Sequence, residues 1–419
     1  MLFLHRPQLL FIKERALNDL FSGESYIRFV LEKAFGSNRN WGKRDRAAVS
    51  SLCYFLVRWK LRIGWVLEVN LSDPKSWPLV VAFSMRMIRS EGASQELHRA
   101  DYEEIQKVWP HFEATKEIES KLRSAISRWT SDEMPTWARH SCGQWLDEFS
   151  QSSLKDKYTK FWEISNQEAP VFLRTNTALT TAPELQQNLE ASGISLDPVS
   201  EIGFRLKRRQ NVFVTPAFKA GLFEVQDGHS QLIAPLLEIK PGMRVMDGCA
   251  GAGGKTLHLS NLMKNQGKIL ACDPSKNKIA ELKLRLRRAK VDNVEVHHIE
   301  DEGFLKRHRE RFDALLLDVP CTGSGVFRRN PEAKYSLCQE DLERLISTQR
   351  DILEKYSKVL KPGGKLLYST CSVFDKENLA QINEFVDDHP EWSIDLVESW
   401  LPSPYSGDGF FAARLIRSN

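Results

Sequence analysis

The sequence predicts a multidomain chain. An all-α module comes first, a small α+β module follows, and an α/β module with a doubly wound, mostly parallel sheet comes last. Three observations predict this order. Apolar residues recur at helical spacing up to about residue 130, strand-like and helical stretches mix between 131 and 226, and strands alternate with glycine turns and helices from 227. We therefore expect domains at 1–130, 131–226 and 227–419.

The N-terminal module is predicted to be helical. Apolar residues stand three and four positions apart from Tyr26 to Ala34 and again from Val49 to Trp59. This spacing places them on one face of a helix. Glycine-rich turns of the kind that separate strands do not occur before residue 130.

The middle module mixes strands with helices. Its strand candidates are the β-branched and aromatic stretches 169–174, 204–207 and 212–214, which lie between helical patterns and turn residues. Together they predict a small α+β unit.

The C-terminal module repeats a unit of strand, turn and helix. Helices are predicted from Thr256, through 282–289 and over 340–359, and a turn is predicted at Pro362-Gly363-Gly364. The predicted strands are 244–247, 268–273, 294–296, 314–317 and 365–369, and a last apolar run covers 410–416. Because parallel strands require right-handed crossovers, this alternation indicates a doubly wound sheet.

Composition and charge narrow the class of protein. Hydrophobic residues make up 42% and charged residues 27% of the chain, as in ordinary globular proteins. We find neither an uncharged apolar run long enough to span a membrane nor a secretory cleavage site, so a cytoplasmic protein without membrane contact is expected. The seven cysteines include no CxxC pair, which predicts reduced thiols and no metal site.

Basic residues are concentrated towards the N-terminus, although the net charge is only +4. Residues 1–130 hold 21 lysines and arginines against 15 acidic residues. A solvated surface and a basic module for an acidic partner both fit this excess.

A glycine-rich loop, 248–255, follows the first predicted strand of the C-terminal module, and Asp273 ends the second. Such a loop lets a ligand approach the backbone amides at a helix N-terminus, and a carboxylate at the next strand end can hold ribose hydroxyls. Together they predict a nucleoside-containing cofactor. The loop lacks the GxGxxG spacing, and an ATP-type phosphate loop would need glycine at Cys249.

Two cysteines follow neighbouring strands of the same predicted sheet. Cys321 comes after the fourth strand and Cys371 after the fifth, so both are expected to face the cofactor crevice. A thiolate can add to carbon 6 of a pyrimidine and make carbon 5 attack an electrophilic methyl group. The alternative is that both are small buried hydrophobic side chains.

Three long stretches, 247–256, 318–331 and 368–373, resemble the RNA 5-methylcytosine methyltransferases, the family of the eukaryotic Nop2/NSUN proteins, and most of all its RsmB-like bacterial branch. Glu377-Asn378 and 407–411 are also similar. The resemblance covers residues 160–419. It implies a Rossmann-like class I methyltransferase domain behind an RRM-like α+β module, while a fainter similarity before residue 130 implies a NusB-like RNA-binding module.

The resemblance also implies a methyl donor, S-adenosylmethionine, and a role for each matching position. Cys371 is the expected nucleophile, Cys321 assists release of the covalent adduct, Asp318 lies near donor and cytosine, and Lys255 lines the pocket. The positions expected to bind the donor are Cys249, Ala250, Gly251, Ala252, Gly253, Gly254, Lys255, Asp273, Asp301 and Asp318. Asp273 is assigned to the ribose and Asp301 to the adenine.

The sequence departs from the family pattern at two points in the donor site. Gly251-Ala252 replaces the usual Ala-Pro, which predicts a more flexible loop, and Glu300 replaces the glycine before Asp301. Arg328 and Arg329 follow the Cys321 loop and are expected to contact RNA phosphate. The basic helix 283–290 is interpreted as a solvated face or a second RNA contact.

We therefore expect a monomeric, metal-independent enzyme that methylates carbon 5 of a cytosine in small-subunit rRNA. No further domain is expected after Phe411, and the NusB-like N-terminus favours rRNA. Two alternatives stay open: a tRNA cytosine-5 methyltransferase, and a ribosome-assembly factor that binds RNA without catalysis.

Overall fold

The structure, a computed structural model, describes residues 4–22, 26–90, 97–299 and 303–418. The chain forms two compact units. The first comprises Met1–Asn166 and Phe327–Cys338, and the second comprises Gln167–Val326 and Gln339–Asn419. The predicted domain boundaries at 130 and 226 stay predictions.

The first unit is helical, as predicted. Its α-helices are Arg6–Phe11, Leu17–Ser22, Ile27–Ser37, Lys43–Arg58, Lys60–Leu67, Trp77–Ser90, Arg99–Val108, Lys116–Arg128, Thr136–His140, Gln144–Leu154, Tyr158–Ser165 and Ala333–Ser336. Apolar side chains such as Leu52, Leu56, Val80 and Leu122 are fully buried between them. The NusB-like assignment of this unit stays a prediction.

A short segment from the C-terminal half of the chain, Phe327–Cys338, belongs to this helical unit. The ring of Phe327 stacks on Trp162 with centroids 5.8 Å apart. Lys334 is fully buried, and its Nζ donates to the carbonyl oxygens of Arg58 and His140 at 2.8 and 3.2 Å. Burial lowers the pKa of Lys334 to about 7. The segment is thus anchored by a buried amine as well as by stacking.

The second unit begins with a small antiparallel sheet in the strand order β2-β3-β1-β4. Its strands are β1 Phe172–Thr175, β2 Leu196–Pro198, β3 Gly203–Leu206 and β4 Phe223–Val225. Leu185 and Leu189 from helix Ala182–Ala191 join its buried core. The predicted α+β module is confirmed.

The predicted strand at 212–214 is wrong, because Val212–Val214 forms a single 3₁₀ turn. The side chain of Asn211 accepts a hydrogen bond from the amide of Phe213, and Thr215 caps the next helix through the amide of Phe218. These capping contacts outweigh the β propensity of the stretch. Its side chains do not alternate between faces: Val212 is buried, whereas Phe213 and Val214 are exposed.

A larger sheet of seven strands forms the body of the second unit, in the order β10-β11-β9-β8-β5-β6-β7. Its strands are β5 Arg244–Asp247, β6 Lys268–Asp273, β7 Val294–His298, β8 Phe312–Asp318, β9 Leu360–Thr370, β10 Trp392–Trp400 and β11 Phe410–Arg417. Strands β5 to β9 pair in parallel. At one edge of the sheet, β11 pairs antiparallel with both β9 and β10. The predicted mostly parallel sheet is confirmed, with β10 as an additional strand.

The predicted turn at Pro362–Gly364 lies inside β9 as an irregularity. Phe312 pairs with Leu360 but Ala314 pairs with Lys365, so extra residues of β9 leave the ladder between these pairs. Gly363 has a φ of 72°, which suits glycine.

Helices cover the two faces of the large sheet and connect its strands. In the second unit the helices are Ala182–Ala191, Pro216–Lys219, Gly228–Ile233, Gly254–Leu262, Lys276–Arg288, Gly303–Arg307, Gln339–Tyr356 and Leu379–Asp388. Apolar side chains pack on both faces, with Leu315 and Leu366 in one layer and Ala314 and Leu367 in the other. Among the helices of the described ranges, none combines the length and apolar character of a membrane span.

Candidate active site

The candidate site lies where four neighbouring parallel strands end, in the order β9-β8-β5-β6. Asp273 ends β6, the glycine loop 248–255 follows β5, and Asp318 ends β8. Cys371 comes directly after β9. Since β6 and β8 flank β5, the ends that carry Asp273 and Asp318 are two strand spacings, roughly 9–10 Å, apart. This edge therefore places the cysteines at one side of the glycine loop and Asp273 at the other.

A cavity of about 550 Å³ opens at this edge. The glycine loop lines it, Asp273 and Asp318 contribute carboxylates, and Ile299, Ile352 and Tyr356 provide apolar contacts. Clefts of this size and mixed lining are typical of small-ligand sites. Of the loop residues predicted to bind the donor, all except Gly253 line the cavity.

Gly253 instead permits the turn of the loop. Its φ is 89°, and a Cβ atom there would lie 2.2 Å from Cδ1 of Leu282. A side chain would therefore be strained and would collide with the helix Lys276–Arg288. The turn places helix Gly254–Leu262 with its amino end at the cavity.

Asp273 is almost fully buried and holds the loop in place. Its Oδ2 accepts from the amide of Gly251 at 2.9 Å, and its Oδ1 accepts from the amide of Ser275 at 2.8 Å. Each carboxylate oxygen has two lone-pair sites, so both retain capacity for a further donor. The residue lines the cavity, as its predicted role with a ribose requires.

Two arginines brace the loop through its carbonyl groups, which sequence reasoning missed. Arg174 of β1 donates to the carbonyl oxygen of Gly254 at 3.0 Å, and Arg285 donates to that of Ala252 at 2.9 Å. Glu224 of β4 binds Arg285 at 2.9 Å. Because these contacts fix its carbonyl groups, the loop is held despite the Gly251-Ala252 departure.

Asp247 lies beneath the loop at the end of β5. Its Oδ2 accepts from the hydroxyl of Thr256 at 2.7 Å. Burial raises the pKa of Asp247 to about 7. The carboxyl group of Asp247, which is costly to ionise, thus holds Thr256 in the first turn of helix Gly254–Leu262.

Lys255 and Asp318 form an ion pair next to the cysteines. The Nζ of Lys255 lies 2.6 Å from Oδ2 of Asp318, and Oδ1 of Asp318 accepts from the hydroxyl of Ser369 at 3.4 Å. The ammonium group of Lys255 also lies 5.2 Å from the ring centroid of Phe410. Asp318 is therefore oriented by partners from two other elements at the end of the cavity next to β9.

The two predicted cysteines meet. The sulfur atoms of Cys321 and Cys371 are 3.4 Å apart, and both residues are half-buried. The hydrogen bond with Cys371, followed by burial, raises the pKa of the Cys321 thiol well above its usual range. Cys321 thus stays protonated and can donate its S–H to the sulfur of Cys371. Among the described residues, Asp318 and Pro320 line the cavity, whereas Cys321 and Cys371 do not. The prediction that both cysteines face the cofactor crevice therefore stays a prediction.

The remaining predicted residues are placed elsewhere. Arg328 is only 1% exposed and belongs to the helical unit. This burial argues against its predicted contact with RNA phosphate. Arg329 is half-buried, and its RNA contact stays a prediction. Asp301, predicted to bind adenine, lies outside the described residues.

Two family models match the chain. The model described as 16S rRNA methyltransferase RsmB/F matches residues 234–416, which include nearly all of the large sheet and most of the residues that line the cavity. A second model, described as the ferredoxin-like domain of RsmF/B-like methyltransferases, matches residues 143–213. The second range contains β1 to β3 of the small sheet.

Relatives of known name extend over most of the chain. The ribosomal RNA small subunit methyltransferase B of Proteus mirabilis is 28% identical over 399 residues, covering 90% of this chain and 91% of that protein. The protein of the same name from Photorhabdus laumondii is 30% identical over 293 residues, covering 67% of each. The solved structure of the protein PH0851 shares the fold over 97% of this chain and 98% of its own, with a TM-score of 0.79 and 24% identity.

Proposed function

The chain belongs to the RsmB/F family of 16S rRNA methyltransferases, and we propose on that premise that it methylates carbon 5 of a cytosine in small-subunit rRNA with S-adenosylmethionine as methyl donor. The observation that carries this proposal is the pair of sulfur atoms 3.4 Å apart beside a cavity fit for a nucleoside. A donor pocket alone would suit many methyl acceptors. Two adjacent thiols, one of them directly after Pro320 of the cavity lining, favour the pyrimidine chemistry that needs a sulfur nucleophile.

The cavity suits S-adenosylmethionine in three respects. The carboxylate of Asp273 would accept hydrogen bonds from the ribose hydroxyls, and the side chains of Ile299, Ile352 and Tyr356 would pack on the adenine ring. The amides of the glycine loop would hold the polar end of the donor. When bound, the donor supplies an electrophilic methyl group. We keep the proposed adenine contact of Asp301.

Cys371 acts as the nucleophile in the proposed mechanism. Its sulfur adds to carbon 6 of the cytosine, and carbon 5 becomes electron-rich enough to take the methyl group. Afterwards water or a neighbouring base takes the proton from carbon 5, the electron pair of that C–H bond restores the double bond between carbons 5 and 6, and the bond between sulfur and carbon 6 breaks to return the thiolate of Cys371. Cys321, protonated and 3.4 Å away, first supports the sulfur of Cys371 through its S–H and later assists the release.

Asp318 and Lys255 would contact the cytosine and the methyl donor, because they lie between the cavity and the two cysteines. Asp318 lies at the end of β8, three residues before Cys321, and would support protonation at a ring nitrogen of the cytosine. The ion pair of 2.6 Å with Lys255 fixes its carboxylate. The base must leave any stacked helix to reach this point.

The RNA itself is proposed to bind partly through its phosphates, so affinity should decrease with salt. A NusB-like role of the helical unit in binding rRNA and a monomeric enzyme in the cytoplasm complete the proposal. Small-subunit rRNA is favoured over tRNA by the family model, whose description names 16S rRNA.

The decisive experiment supplies tritiated S-adenosylmethionine and the purified protein to three unmethylated substrates: 16S rRNA, assembled small subunits and bulk tRNA. We expect label in 16S rRNA or small subunits, located by bisulfite sequencing at a cytosine. Label in tRNA alone would contradict the rRNA assignment. RNA binding without any label would favour the non-catalytic assembly factor.

A further inference from the structure

Glu377 connects the two loops that carry the cysteines. It lies in the turn Asp375–Glu377, between β9 and helix Leu379–Asp388, and its side chain is completely buried. A buried carboxylate is stable only if its oxygens are satisfied. Four hydrogen-bond donors converge on the two oxygens of Glu377. Four donors match the acceptor sites of an ionised carboxylate.

On the side of Cys321, contacts fix the residues before and after the cysteine. Thr322 donates its amide to Oε1 of Glu377 at 2.8 Å and its hydroxyl to Oε2 at 2.5 Å. Gln349 donates to Oε1 at 3.0 Å and also to the carbonyl oxygen of Pro320 at 2.9 Å. The backbone on both sides of Cys321 is thus connected to Glu377.

On the side of Cys371, the contact is made by the next residue. The hydroxyl of Ser372 donates to Oε2 of Glu377 at 2.5 Å. Asn378, beside Glu377, donates to the carbonyl oxygen of Ser372 at 3.0 Å. The hydroxyls of Thr322 and Ser372 are 3.4 Å apart, so both loops meet at one carboxylate oxygen.

We propose that Glu377 is a positioning residue that sets the distance between the sulfur atoms of Cys321 and Cys371, a proposal that rests on the proposed function. The loops come from different strands and are 50 residues apart in sequence. A single buried acceptor that binds the residue after each cysteine keeps their spacing constant while the adduct forms and breaks. Charge-assisted hydrogen bonds are suited to this task because they are short and directional.

The first test needs no RNA. Iodoacetamide alkylation of Cys321 and Cys371, followed by peptide mass spectrometry, is compared between wild type, Glu377→Gln and the control Glu384→Gln. Glu384 lies on the adjacent helix, is exposed and pairs with Arg350. The charge of Glu377 helps to raise the pKa of Cys321. Its removal should therefore move the alkylation profile of Cys321 to lower pH, whereas the control should match wild type.

The second test measures the covalent step. In a Cys321→Ala background, where the adduct with RNA is expected to accumulate, Glu377→Gln should slow adduct formation by about 10- to 100-fold, because small displacements of a nucleophile have effects of this size. Donor affinity, measured by calorimetry, should not change. Glu377→Asp should restore part of the rate.

Two milder variants keep the test informative if Glu377→Gln fails to fold. Ser372→Ala removes the contact on the side of Cys371 and should slow adduct formation. Thr322→Val removes a contact on the side of Cys321 and should prolong the adduct in protein that retains Cys321. If both behave as wild type, Glu377 does not position the cysteines.

The outcomes separate this proposal from the proposed function. If wild type methylates RNA while Glu377→Gln keeps its adduct rate and its alkylation profile, the positioning role is overturned. A parallel loss of melting temperature, donor affinity and adduct rate would also overturn it, because that pattern indicates a general structural role. If wild type methylates no RNA, the proposed function fails, and the alkylation profile still tests Glu377.

Discussion

The two halves of the site are held in different ways. The donor half, which comprises the glycine loop and Asp273, comes from one stretch of chain, and its shape is fixed by hydrogen bonds such as that from the amide of Gly251 to the carboxylate of Asp273. The cysteine half joins two loops through the buried side chain of Glu377. The donor half is thus built from residues that are close in sequence and is braced by Arg174 and Arg285, whereas the cysteine half depends on side-chain contacts between two loops that are distant in sequence. Substitutions in one half should therefore leave the function of the other half intact.

The largest effect is expected for Cys371→Ala. Removal of a covalent nucleophile typically lowers activity by about a thousandfold or more, so methyl incorporation should be undetectable. Calorimetry should still show wild-type affinity for the donor, because the donor half is unchanged. The matched control is Cys338→Ala, which removes another half-buried thiol outside the site. A Cys371→Ala enzyme with full activity would remove the nucleophile assignment.

Cys321→Ala should separate formation of the adduct from its release. The nucleophile and the donor half remain, so RNA becomes attached, but resolution is slow. We expect a shifted protein band that survives denaturing electrophoresis and disappears after nuclease treatment. Normal turnover without such a band would show that Cys321 takes no part in release.

Asp273→Asn should affect the donor half alone. Loss of hydrogen bonds to a charged acceptor typically costs about 1.5–3 kcal/mol, which corresponds to roughly 10- to 100-fold weaker donor binding. Alkylation of Cys321 and Cys371 should follow the wild-type profile. Asp292→Asn is the control, since Asp292 is exposed and does not line the cavity. If donor affinity is unchanged, the ribose assignment is wrong.

The smallest effect concerns the pH dependence of stability below the loop. Burial raises the pKa of Asp247 to about 7, so the folded protein keeps a proton that the unfolded chain releases above about pH 4. The contribution of Asp247 to the free energy of unfolding therefore falls as pH rises through this window. Asp247→Asn should remove this decrease of the free energy of unfolding with pH.

The melting temperature of Asp247→Asn relative to wild type should consequently be higher at about pH 8 than at about pH 5, by roughly 2–4 °C for a change of about 1 kcal/mol. Thermal denaturation followed by circular dichroism measures the melting temperatures of the variant and of wild type at each pH. An equal difference at the two pH values would show that Asp247 titrates normally.

Much of the donor half could be predicted from the sequence because its signals are local. The glycine loop, the strand before it and Asp273 lie within about thirty residues, and each has a typical pattern. The braces formed by Arg174 and Arg285 could not be predicted in this way, because they act from the small sheet and from a helix whose basic residues are usually solvated.

The cysteine half shows where sequence reasoning stops. The position of Cys321 and Cys371 after neighbouring strands predicted that both face one crevice, since parallel strands end at one edge, but it did not predict that their sulfur atoms meet. The contacts of Glu377 depend on residues 322, 349 and 372, which no local pattern connects. Likewise, nothing near Arg328 indicates that Phe327–Cys338 packs in the helical unit, where Arg328 is buried. Strand β10 was missed because most of its residues are exposed or half-buried at the edge of the sheet.

The attachment point of the trapped RNA tests the central claim most directly. Cys321→Ala protein is incubated with substrate RNA and S-adenosylmethionine, digested with nuclease and protease, and sequenced by tandem mass spectrometry. The account predicts a methylated cytidine nucleotide on the sulfur of Cys371. A nucleotide attached to any residue other than Cys371 would contradict the account. The release of methylated RNA without any nucleotide on Cys371 would also contradict it.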